Sequence, residues 1–161
     1  MLERDEQRVV DNIATHGWHG VHVFEDDEGP GFCYSIGLDE MLCAPELIIF
    51  GLKSDVMHSV IWEMTRQIQA GRIIAPDAVF NDLIAGFPCI VKPVHPSWLR
   101  EYFGYAGWYY RYRQKLEQLQ AFQIFWPGKL DGLFPWQQGC ADEVTAAQPL
   151  LYEARIEHSG A

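Results

Sequence analysis

Four cysteines occur in the chain (Cys33, Cys43, Cys89 and Cys140), and no two of them form a C-x-x-C pair. That absence removes the ligand spacing of zinc ribbons and the dithiol of thioredoxin-like redox proteins. No apolar run approaches the roughly 20 residues that cross a bilayer. The segment from Met1 to Asn12 is charged, unlike the apolar core of a secretory leader. A soluble, cytoplasmic protein with free thiols is the expectation. Basic residues are also scarce, 12 against 22 acidic ones, for a formal net charge of -10. Such a surface disfavours nucleic acid and anionic membranes, and favours a basic protein partner. Neither G-x-x-x-x-G-K-[ST] nor G-x-G-x-x-G occurs, so no phosphate loop is encoded. G-x-S-x-G is missing too. Ser35 lies in Tyr34-Ser35-Ile36-Gly37-Leu38, which reads as a strand end and not as a nucleophile elbow.

What is present suits one domain. At 161 residues, 48% of them hydrophobic, the chain can bury a core without disulfide or metal staples. Leu2 to His16 carries a helical stripe (Leu2, Val9, Val10, Ile13) interrupted by Glu6 and stopped by Gly17. Trp18–Glu25 and Gly31–Leu38 read as two strands joined by the acidic, turn-forming Glu25-Asp26-Asp27-Glu28-Gly29-Pro30. Glu46 to Phe50 suits a central buried strand. Ser54 then caps a helix with Val56, Val60, Met64 and Ile68 every four residues, ended by Gly71. Arg72 to Asn81 reads as a connection with a short strand, and Phe87 to Val94 as a strand limited by Pro88 and Pro93. Helical pieces follow after His95 and over Trp108–Leu116, then a last strand over Ala121–Trp126 and an irregular tail from about residue 128. The fold expected is α+β: a mainly antiparallel sheet of about five strands flanked by helices, in a single domain.

The side chains able to do chemistry are few. His16, His19 and His22 suggest a metal set, but residues three apart on a strand face opposite ways. His16 and His22 are also about 20 Å apart if extended. No metal is therefore expected among them. Cys33 and Cys89 sit in apolar strands as structural thiols, and Cys140, in a loop after Gly139, is the one expected to be accessible. No catalytic residue is assigned. Tyr102, Phe103, Tyr105, Trp108, Tyr109, Tyr110 and Tyr112 crowd together with Arg100, Arg111, Arg113 and Lys115. Such a face either covers the sheet or stacks on a small anionic ligand.

Taken in order, Tyr34–Leu38, Pro45–Leu52, Trp126-Pro127-Gly128, Phe134-Pro135-Trp136 and Gln148–Leu151 resemble a bacterial family, the domain of unknown function DUF4262, from about Asp5 to Leu151. Gly128 stands where the family pattern has an acidic residue. The resemblance implies no activity, but it directs attention to Gly37 and Pro45, and to rings in the Phe134–Trp136 loop that could close a pocket. Two functions are compatible with these features. One is a non-catalytic binding or regulatory protein that occupies a basic partner. The other is a small-molecule enzyme, or flavin or nucleotide binder, similar in outline to split-barrel flavin proteins, with Tyr34, Ser35, Arg111, Trp126 and Trp136 lining an aromatic pocket.

Overall fold

A computed structural model describes residues 1–156. Its elements are α1 (Arg4–His16), β1 (His19–Val23), β2 (Phe32–Ile36), α2 (Leu38–Leu42), β3 (Glu46–Phe50), α3 (Ser54–Gln69), β4 (Val79–Ile84), β5 (Phe87–Pro93), α4 (Leu99–Tyr102), α5 (Gly104–Tyr112), β6 (Ala121–Phe125) and α6 (Asp142–Ala147). The six strands form one sheet in the order β1-β2-β3-β6-β5-β4. All pairs are antiparallel except β3 with β6. The α+β class is as expected. The short strand read in the Arg72–Asn81 connection is β4, which runs on to Ile84 and makes six strands where about five were expected. The central pair is parallel because a long excursion through α3, β4, β5, α4 and α5 separates its strands.

Both faces of the sheet are covered, which explains the nearly unbroken apolar run of β3. Cys33, Leu47, Ile49 and Ile124 face α3 and pack on Met57, Val60, Ile61 and Met64. Tyr34, Ile48 and Phe50 face the other way, onto Phe103, Ala106, Tyr109 and Tyr110 of the α4–α5 layer, and α1 joins that side through Val9. Val56, placed on the α3 stripe by its spacing, is exposed instead. The expected Ser54 cap is also different: Lys53 is the N-cap, and the Ser54 hydroxyl turns to His22.

Gly17 closes α1 in the left-handed conformation, as its place in the sequence suggests. Ion pairs tie the residues just after α5 to α2, Arg113 to Glu40 at 2.8 Å and Lys115 to Asp39 at 2.8 Å, and the Tyr109 hydroxyl of α5 donates to Glu40. The tail is less irregular than expected, since it includes α6, and two buried glutamines anchor it. Gln148 accepts from the Trp126 N–H at 3.0 Å and donates to its carbonyl at 2.9 Å. Gln123 donates to Pro149 O and accepts from the Leu151 N–H. Each side-chain amide stands in for a missing strand, satisfying backbone groups that burial would otherwise orphan. No described helix is long and apolar enough to cross a membrane.

Candidate functional site

The β1–β2 connection overhangs a groove of about 800 Å³. On its other side lie the first turn of α3 and the helix α6. The loop is built by Asp26, whose carboxylate accepts from the N–H groups of Glu28 (2.8 Å) and Gly29 (3.2 Å) while its backbone pairs with Gly29. This is the side-chain-mediated turn that Asp favours. Five carboxylates line the groove, those of Glu25, Asp26, Asp27, Glu28 and Glu143, against the single ammonium of Lys53. None of these six groups takes part in an ion pair among the described residues. Apolar surface from the half-buried Leu52 lies between them, and Phe24, 76% exposed, stands in the loop itself. The loop thus sets an exposed ring beside carboxylates.

The residues expected to line an aromatic pocket occupy separate environments. Tyr34 is buried, its hydroxyl accepting from the Tyr105 N–H at 3.0 Å, and burial raises its pKa to about 12. Ser35 is buried and donates to Glu46 at 2.8 Å while accepting from the Leu47 N–H. Trp126 donates its indole N–H to the Phe50 carbonyl at 2.7 Å. Trp136 stacks on Phe134, meets Phe125 edge-on and carries the Lys92 ammonium over its ring. Arg111 is exposed on α5. The Phe134–Trp136 loop thus packs on β5 and β6. Beside Gly128, the position of an expected acidic residue, Asp131 turns its carboxylate to the Leu133 N–H.

Among the cysteines, Cys33 and Cys89 are buried, with thiols pushed up to about 12 by burial. The accessible one is Cys43 at the end of α2; Cys140 is half-buried, and its thiol donates to the Leu133 carbonyl. This corrects the expectation for Cys140, whose loop folds back on itself.

The three N-terminal histidines separate as the strand geometry requires. His16 ends α1, exposed, and His19 pairs with the Asn12 amide at 2.9 Å. His22 instead meets residues remote in sequence. Its Nδ1 is 2.7 Å from Ser54 Oγ, its Nε2 is 3.2 Å from His58 Nδ1, and Cys33, its cross-strand partner, places Sγ 3.9 Å from the same Nε2. Burial, then His58, lowers the pKa of His22; burial, then Arg8, lowers that of His19. The sequence reading overlooked His58. Its only local signal is its place one turn after Ser54, which carries no information about β1.

No curated protein and no solved structure matches the chain. A family model described as "Domain of unknown function (DUF4262)" matches residues 12–141. That is most of the length over which the resemblance runs, and the chain belongs to the DUF4262 family.

Proposed function

We propose that this chain is a non-catalytic binding protein that holds a basic protein segment in the groove between the acidic β1–β2 loop and the start of α3. The observation carrying this reading is the groove itself: five carboxylates, one ammonium, no internal ion pairs, and an exposed Phe24 ring at its edge. A lysine or arginine side chain entering there would meet unpaired carboxylates and an aromatic face suited to a cation. Its aliphatic stem would cover Leu52. The net charge of -10 adds long-range attraction for the same partner. A flavin or nucleotide seat has less support, because the hydroxyls of Tyr34 and Ser35 and the indole N–H of Trp126 are already bonded within the fold.

A short labelled peptide of alternating arginine and leucine should bind, and its glutamate–leucine counterpart should not. Replacing Glu25→Gln, Asp27→Asn and Glu28→Gln together should weaken binding roughly tenfold, from exposed pairs each contributing about 0.5 kcal/mol. Asp26 is left in place because it holds the turn. Affinity should fall as salt rises. Fluorescence anisotropy measures all three effects. Equal binding of both peptides, or an unchanged affinity in the triple variant, would refute the assignment.

A further inference from the structure

On the α3 side of the sheet, three donors from three elements converge. His22 (β1), Cys33 (β2) and His58 (α3) each offer one ligand atom, and these atoms all lie within 4.8 Å of one another. We propose that they form a binding site for a zinc-class divalent cation, with three protein ligands and one position left open.

Two of the three spacings match the chemistry, and the third, from His58 to Cys33, lies within 4.8 Å. Around a tetrahedral zinc ion, with nitrogen at about 2.0–2.1 Å and sulfur at about 2.3 Å, ligand atoms stand roughly 3.3 Å (N···N) and 3.6 Å (N···S) apart. Here His22 Nε2 is 3.2 Å from His58 Nδ1 and 3.9 Å from Cys33 Sγ. Two imidazoles and one thiol form a borderline-soft set, suited to zinc over magnesium or calcium.

The surroundings orient these donors. Ser54 Oγ lies 2.7 Å from His22 Nδ1. A ring that donates its Nδ1–H to that oxygen turns the Nε2 lone pair toward Cys33 and His58, as partners of metal-bound histidines do. This gives the Ser54 hydroxyl, which does not cap its helix, a purpose. Trp18 stacks on the His58 ring at 5.2 Å. Gly20 makes room for that ring, since a Cβ there would come within 3.1 Å of His58 Nδ1. Cys33 and His22 are held by the β1–β2 ladder as a cross-strand pair.

One of the three donors also borders open space. A cleft of about 470 Å³ between α1, β1 and α3 is lined by His16, Trp18, His19, His58 and Trp62 among others. His58 therefore belongs to both the cleft and the cluster. On binding, the Cys33 S–H bond breaks, its proton passes to solvent, and the sulfur lone pair forms the bond to the ion. Binding should therefore tighten as pH rises.

Cobalt(II) replaces zinc and reports its ligands by absorption. The full chain, stripped with a chelator, is titrated with Co²⁺ and then displaced with Zn²⁺. The expected result is one equivalent bound, with a near-ultraviolet thiolate-to-cobalt band and the visible bands of a four-coordinate ion. His58→Gln, which removes a ligand, should lower the affinity by at least the roughly 100-fold that losing an outer-shell partner can cost. Cys33→Ser should remove the thiolate band. His95→Gln, at an exposed histidine outside both the cleft and the cluster, should change neither. Should Cys33→Ser fail to fold, His58→Gln on the half-buried face of α3 still decides the matter. Absence of the thiolate band in the parent chain, or unchanged cobalt affinity in His58→Gln, would overturn the site and leave His58 and His22 as a plain hydrogen-bonded pair.

Discussion

Replacing Glu46 with alanine is expected to destabilise the protein by about 4 kcal/mol, because four buried donors lose their acceptor at once. Glu46 is wholly buried at the start of β3. Its Oε1 accepts from the Ser35 hydroxyl (2.8 Å) and the Leu38 N–H (3.2 Å); its Oε2 accepts from the Gly37 N–H (2.8 Å) and the Tyr110 hydroxyl (2.7 Å). The carboxyl therefore joins the end of β2, the start of α2, and α5. Each buried group left unpaired costs about 1–3 kcal/mol, partly relieved where water follows into the space. A loss of that size should lower the melting temperature by roughly 10 °C for a chain of this length. Urea titration of Glu46→Ala against the parent protein measures it. Tyr110→Phe, which removes one donor and orphans no backbone group, should cost only about 1 kcal/mol. Near-equal losses in the two variants would show that the carboxylate is not the hub of the network.

The same residue sets a pH dependence. Burial raises the Glu46 pKa from 4.5 to about 7, outweighing the bonds from Tyr110, Gly37, Ser35 and Leu38 that pull it down. Between those values the folded state binds a proton that the unfolded chain has released. Glu46 therefore contributes stability that is complete below about pH 4.5 and lost as pH rises to about 7. In Glu46→Gln that decline should be absent, so the stability gap between the two proteins should narrow from pH 5 to pH 7. A gap that widens over this range would mean that the folded carboxyl keeps an ordinary or lowered pKa.

Features set by neighbouring residues were legible in the sequence: Glu46–Phe50 as a buried strand, Gly17 as a helix stop, and 25–30 as a turn between paired strands. Features set by remote pairing were not. Strand β4 carries polar residues on a sheet edge and so resembles a connection. The β3–β6 pairing leaves no local trace. Helix α5 starts at Gly104, earlier than its aromatic spacing suggests, because packing on Tyr34 and ties to α2 override the weak propensity of glycine. Glu46 looked like the polar end of an apolar strand, since its hydroxyl partner on α5 is 64 residues away. The cluster of His22, Cys33 and His58 was hidden for the same reason. Strand parity correctly separated His19 from His22, but it cannot bring a helix from 36 residues downstream over the latter.

Gly37→Ala is expected to cost about 3 kcal/mol, although it adds one methyl group. Gly37 has φ +115°, where an L side chain is strained by about 1–3 kcal/mol. A Cβ there would stand 2.8 Å from the Gly17 carbonyl oxygen and 3.3 Å from Trp18 Cα. Neither can retreat easily: Gly17 closes α1 through its N–H bond to Ile13, and Trp18 leads directly into β1. The added methyl therefore pushes the α1–β1 corner off the β2–α2 corner, and with it moves the Gly37 N–H that Glu46 accepts. Because both substitutions damage the same junction, the double variant Gly37→Ala with Glu46→Ala should lose less than the sum of the single losses, by about 1 kcal/mol or more. Strict additivity in urea titrations of the four proteins would separate the corner from the carboxylate. Coupling of that size would make the turn from β2 into α2, the buried carboxylate and α5 one cooperative unit.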